Sequence, residues 1–265
     1  MADVVIREIT PEVVTFSKPF SRFLGWFPMG GRSTAIKLSS GDVWVIASTP
    51  FSNETKDAVE KLGIVKYILA ADADHHYFLT EWKKNYPEAK MIGVETLPEK
   101  KKGEYWKFDE IYKPGSENKF GFEADIEAVY FSGFSKKDVA WFHKASKTLI
   151  VADLIFNLPA NEQYSKSKQR KTGFLTKKLN PYAEFHKKFI WGESKDKAAM
   201  ARDAKTVYGW DFERIIPCHG DTIETKAKEA WASVYTKFLD TPDPTPAPAA
   251  ETPAETPAEP AAAAA

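Results

Sequence analysis

The chain has 265 residues, 43% hydrophobic and 14% aromatic, which is enough to bury one sizeable core, and its 37 basic side chains balance its 37 acidic ones. That balance argues against bulk affinity for nucleic acid or a membrane, and a lone cysteine, Cys218, excludes an intramolecular disulfide framework. With no basic-then-apolar leader and no run of 18 apolar residues, the expectation is a soluble, cytoplasmic protein with a small-molecule substrate.

In chain order, Val4 to Ile9 and Val13 to Phe16 predict two short strands around the turn Thr10-Pro11. The aromatic stretch Phe20 to Phe27 reads either as a wall over a site or, more simply, as core at the sheet's edge. Thr34 to Leu38 and Val43 to Ala47 predict a hairpin across Ser-Ser-Gly-Asp. Ser52-Asn53 can cap a helix carrying Ala58, Val59 and Leu62 on one face, and Gly63 stops it. An apolar run through Tyr67, Ile68 and Leu69 then passes straight into Asp72, Asp74, His75 and His76. Strand ends of this kind carry the chemistry of α/β proteins, and two carboxylates with two imidazoles can ligate one divalent cation. Phe78, Leu79 and Trp82 predict a helix ending at Tyr86-Pro87, and Met91 to Val94 a further strand.

A second half repeats the theme, with strands over Ile126 to Phe131, Val139 to Phe142 and Thr148 to Phe156. The last is interrupted by Asp153, a carboxylate costly to bury unpaired. Residues 157–180 form a long polar stretch, and in it Lys166, Lys168, Arg170, Lys171, Lys177 and Lys178 fall within thirteen residues that hold no acid. It reads as a solvated loop or as a lid attracting anionic substrates, the first four cations being the candidate substrate contacts. Helices are expected over Pro181 to Ile190 and Asp196 to Tyr208. Phe212 to Asp221 then runs from strand into Pro-Cys-His-Gly, placing His219 at another strand end. A closing helix stripes Ala227, Ala230, Trp231, Val234, Phe238 and Leu239. Residues 1–240 are therefore expected as one domain. Residues 241–265, with seven prolines, ten alanines, four acids and no base, are expected as a disordered tail; they leave 37 basic against 33 acidic side chains in residues 1–240, a surplus of four.

Asp74/His75/His76, Asp153 and His219, in this order at strand ends, resemble the metal-binding motifs of the metallo-β-lactamase superfamily. The resemblance covers roughly residues 5 to 240 and implies an α/β four-layer αββα sandwich. Its opening His-x-His-x-Asp-His motif falls on Ala70-Ala-Asp72-Ala-Asp74-His75, its later Asp on Asp153-Leu-Ile-Phe, and its last turn on Cys218-His219-Gly220. Asp-His-His-Tyr-Phe-Leu, Gly-Arg-Ser-Thr-Ala-Ile and Ile-Pro-Cys-His-Gly-Asp look like a divergent, fungal-type branch of unknown function. Ala70, Asp72 and Phe134 stand where that superfamily has first-site ligands, which implies loss of that site. Asp74, His75, Asp153 and His219 match the second, with His76 as the alternative to His75 one residue along. Asp72 either joins the ligands or orients an imidazole.

One divalent metal is implied, zinc first, with iron or manganese also compatible with these donors. The expected function is a mononuclear metallohydrolase of an ester, thioester or lactone, with Asp74 or Asp72 positioning the nucleophile. The alternatives are a degenerate binding protein without catalysis and an iron-dependent oxygenase.

Overall fold

The computed structural model describes residues 4–242, so all but the first two residues of the expected tail lie outside it. The chain opens with β1 (Val5–Thr10) and β2 (Val13–Lys18), an antiparallel pair. A two-stranded hairpin follows, β3 (Ser21–Arg22) and β4 (Phe27–Pro28), and then β5 (Gly31–Lys37) and β6 (Asp42–Ile46). Helix α1 (Asn53–Leu62) starts where expected because the Ser52 hydroxyl accepts the Thr55 amide. Next come β7 (Ile64–Leu69), α2 (Leu79–Asn85), β8 (Lys90–Val94), the short α3 (Leu97–Lys100) and β9 (Glu110–Tyr112). The short α3 and β9 give no sequence periodicity long enough to read.

These strands form a seven-stranded sheet in the order β1-β2-β5-β6-β7-β8-β9, antiparallel as far as β6 and parallel beyond it. The second sheet has the order β10-β11-β12-β13, from β10 (Ile126–Tyr130), β11 (Val139–His143), β12 (Thr148–Val151) and, after α4 (Glu184–Glu193) and α5 (Lys197–Gly209), β13 (Arg214–Pro217). Helix α6 (Ala227–Leu239) closes the chain. β12 and β13 are parallel, which puts the chain following each of them at the same edge.

The two sheets pack face to face with helices outside, the αββα sandwich. Trp44 on β6 meets Trp141 on β11 edge-on at 5.4 Å, and both are fully buried between the sheets. By the pleat, Val43 and Val45 point the other way, into the core that Val59 and Leu62 of α1 complete. On the far face of the second sheet, Phe131, Leu149 and Ile215 pack with Trp231 and Tyr235 of α6 and Met200 and Ala204 of α5.

Two expectations are corrected. The strand read as Thr148 to Phe156 ends at Val151, because the Asp138 carboxylate takes the amides of Asp153 and Leu154 and so draws the chain out of the ladder. The stretch Phe20 to Phe27 is not edge core: Phe23, Leu24 and Trp26 are exposed on the β3–β4 hairpin.

Candidate metal centre

The loops leaving β7, β12 and β13 meet at one edge of the sandwich and bring Asp72, His75, Asp153, Cys218 and His219 together. Within this set, one ligand atom each from His75, Cys218 and His219, and one each from Asp72, His75 and Asp153, lie within 4.8 Å of one another. His75 Nε2 stands 3.1 Å from His219 Nε2 and 4.0 Å from Asp153 Oδ1, and His219 Nε2 is 3.4 Å from the same oxygen. A tetrahedral ion bound at about 2.0–2.1 Å separates its ligands by about 3.3 Å, so these spacings suit one small divalent cation.

Each imidazole is held in one orientation from behind. His219 Nδ1 donates to the Gly30 carbonyl at 2.6 Å, and His75 Nδ1 to Asp72 Oδ1 at 2.9 Å, leaving both Nε2 atoms facing the centre. The His219 ring lies stacked between Phe20 and Phe156, with centroids 6.0 and 5.5 Å away. Asp72 is fully buried; its Oδ1 also accepts the amides of Asp74 and His75, which closes the turn after β7 around it.

Burial raises the Asp153 carboxyl to about 6 against the pull of the His75 charge, and its Oδ1 is buried without a hydrogen-bond partner. Burial lowers His219 to about 3, with the His75 charge adding to it, so its ring is neutral and its Nε2 accepts from His75 Nε2 across 3.1 Å, a proton that a bound cation would displace. Burial works against a charged His75 too, but Asp72 above all, with Cys218 and Asp153, holds it well above the ordinary imidazole value. An orphaned carboxylate oxygen and two oriented imidazoles in an anionic setting fit a bound cation.

Of the remaining sequence candidates, Asp74 and His76 line the same cleft as His75 and His219 but stand outside the close groups, and the four loop cations lie away from it. Neither close group includes Asp74, which lies at the rim, paired with Lys136 and 3.8 and 4.0 Å from Arg22 and Lys100. Burial would raise its carboxyl, but Lys136 holds it below the usual value. His76 is half-buried against Tyr77, and burial with Lys101 and Lys100 lowers its pKa. Lys166 reaches the Val4 carbonyl and Arg170 the Thr172 carbonyl; with Lys168 and Lys171 they are exposed, and none lines the clefts at His75 or Asp153. Ala70 and Phe134 are buried packing residues.

Several residues that shape the centre carried no usable sequence signal. Arg32, fully buried, donates to the carbonyls of Pro217 and Gly220 at 2.6 and 2.8 Å and to Glu162 at 3.1 Å. Gln163 accepts the Gly220 amide and donates to the Cys218 carbonyl, so the long polar stretch is partly built into the site's floor. Gly220, with φ +97°, is required because a Cβ would lie 2.1 Å from the Asn157 carbonyl oxygen. Cys218 could have been singled out, since it adjoins His219 at the strand end.

Beside Asp153 a cleft of about 290 Å³ is walled by Phe27, Met29 and Phe156, with Arg22 and Lys136 on its lining.

Among solved structures, a metallo-beta-lactamase from Pontibacter korlensis matches with a TM-score of 0.57 at 9% identity, over 90% of this chain and 100% of that one. One from Hirschia baltica gives 0.58 at 8% identity, over 89% and 98%. A flavoprotein from Thermotoga maritima gives 0.63 at 16% identity, over 90% of this chain and 62% of its own length. At such identities the likeness establishes the fold, the metallo-β-lactamase sandwich. Comparison with curated proteins gives no match. Residues 28–188 match the family described as Domain of unknown function (DUF4336), and the chain belongs to that family.

Proposed function

We propose that the protein is a mononuclear metallohydrolase acting on an ester, thioester or lactone of a small molecule. The observation that carries this reading is the convergence of His75 Nε2, His219 Nε2 and the unpartnered Asp153 Oδ1. Two imidazoles and one carboxylate are a donor set that zinc takes in hydrolytic sites, where a fourth position stays open. When bound, the metal supplies a water of lowered pKa and polarises the acyl oxygen.

The chain's own groups do the rest. Asp72 and the Gly30 carbonyl hold the two rings in the tautomer that presents Nε2. Lys136 lines the same cleft as Asp153, so its ammonium is placed to take negative charge developing on an acyl oxygen. Phe27, Met29 and Phe156 keep that side of the cleft apolar, which favours an acyl group over a sugar or nucleotide. In this reading Asp72 is a positioning residue, and Asp74 sets the place of Lys136.

The test is zinc titration by calorimetry followed by hydrolysis of a panel of thioesters, esters and lactones. One zinc per chain is expected, with affinity reduced at least about 100-fold in His219→Ala and about 10- to 100-fold in Asp72→Asn. A wild-type protein that takes up no zinc would end the proposal. Stoichiometric zinc without turnover of any panel member would instead favour a binding protein.

A further inference from the structure

The β3–β4 hairpin carries a tip of three large apolar side chains: Phe23 is 75% exposed, Leu24 103% and Trp26 79%. The backbone passes through three successive positive φ angles there, at Phe23, Leu24 and Gly25, a conformation that costs free energy at the two non-glycine positions. A second loop lies alongside. A Cβ on Gly173 would come within 3.0 Å of the Trp26 carbonyl oxygen, so Phe174, 76% exposed, sits beside the hairpin.

The same loop bears Lys168, Arg170, Lys171, Lys177 and Lys178, all exposed, and residues 166–178 contain no acid. Among the described residues none of these five cations has an ion-pair partner, while Lys178 lies over the Phe174 ring at 4.7 Å. The overall charge balance therefore conceals a local segregation of positive charge around exposed apolar tips.

We propose that this face docks on a membrane surface containing anionic phospholipid. Protruding aromatic and leucine side chains gain by entering the headgroup–acyl boundary, and unneutralised ammonium groups meet the headgroup charge. A second copy of the chain fits poorly, because a two-fold contact through this face would set the same cations against each other. Leu24 and Trp26, almost wholly exposed at the turn, are side chains free to insert. Arg22 and Phe23 line the cleft beside Asp153, so docking turns its mouth toward the lipid.

The experiment is co-sedimentation of the full chain with vesicles of phosphatidylcholine alone and of phosphatidylcholine with phosphatidylserine in equal parts. Binding to the mixed vesicles is expected to be at least about tenfold tighter than to the neutral ones, and to weaken as salt is raised. Leu24→Glu with Trp26→Glu, and separately Lys171→Glu with Lys177→Glu and Lys178→Glu, should each reduce it about tenfold or more. Near-UV circular dichroism and melting of both variants should match the parent, which separates lost docking from lost folding. Absence of binding to the mixed vesicles, or equal binding by the folded variants, overturns the proposal. So does concentration-dependent dimerisation abolished by the same substitutions, which would assign the face to a second copy.

Discussion

Replacing Arg32 by methionine tests how the last strand end is held. The guanidinium is fully buried and makes four contacts: the carbonyls of Pro217 and Gly220, the Ser17 hydroxyl and the Glu162 carboxylate. Methionine fills much of the volume and keeps none of these bonds. Two buried carbonyls lose a charged donor, at about 1–3 kcal/mol each. Glu162 retains Arg7 at 3.0 Å and Ser17 at 3.0 Å, so its share of the loss is smaller than for a stranded charge. The expected destabilisation is about 3–5 kcal/mol, the range for removing one member of a buried ion pair. For a chain of this size that is a fall in Tm of about 6–20 °C. Urea unfolding followed by tryptophan fluorescence reads the loss, and Arg32→Lys should fall between parent and methionine because one ammonium cannot span all four partners. The carbonyls that Arg32 grips flank Cys218 and His219, so zinc affinity should fall along with stability. An Arg32→Met protein within 1 kcal/mol of the parent in urea would refute this account of how His219 is held.

Two further outcomes are expected. Gly220→Ala should cost about 2–4 kcal/mol in the same urea assay, because its Cβ would press to 2.1 Å from the Asn157 oxygen at a positive φ, whereas Ala at Gly192, in α4 with nothing within 4 Å, should stabilise by about 0.4–1 kcal/mol. His186 is buried and neutral, its Nδ1 donating to the Asn180 carbonyl, and burial lowers its pKa to about 4. The unfolded chain takes up that proton near pH 6.5 and the folded chain only near 4. Stability should therefore be fully present above about pH 6.5 and decline by about 3 kcal/mol as pH falls to 4, and His186→Gln should flatten that part of the urea–pH profile.

Much of the scaffold was legible because it is local. The Ser52 cap and the period-2 strands need only neighbouring residues to act, and β7 runs into its polar turn as expected. What was not legible depends on partners far along the chain. β12 stops at Val151 because Asp138, fifteen residues earlier than Asp153, takes the next amides. Asp74 stays at the rim because Lys136, sixty-two residues away, pairs with it. His219 and the pair His75/His76 stand out in the sequence as polar residues at the ends of apolar runs, and Asp153 as an acid interrupting one, but the choice between His75 and His76 is open there; Arg32 sits in a strand whose sequence gives no sign that its side chain points into the fold's interior. The exposure of Phe23, Leu24 and Trp26 was equally hidden, since aromatic composition alone reads as core.

Phe20 belongs to two parts of the molecule at once. Its ring stacks on the His219 imidazole, while its carbonyl accepts the amides of Met29 and Gly30 and the Tyr164 hydroxyl at the root of the hairpin. A tug on the hairpin is thus delivered to the imidazole by two routes, through the phenyl group stacked on its face and through the Gly30 carbonyl that grips its Nδ1, so the exposed loop and the buried ring move as one lever.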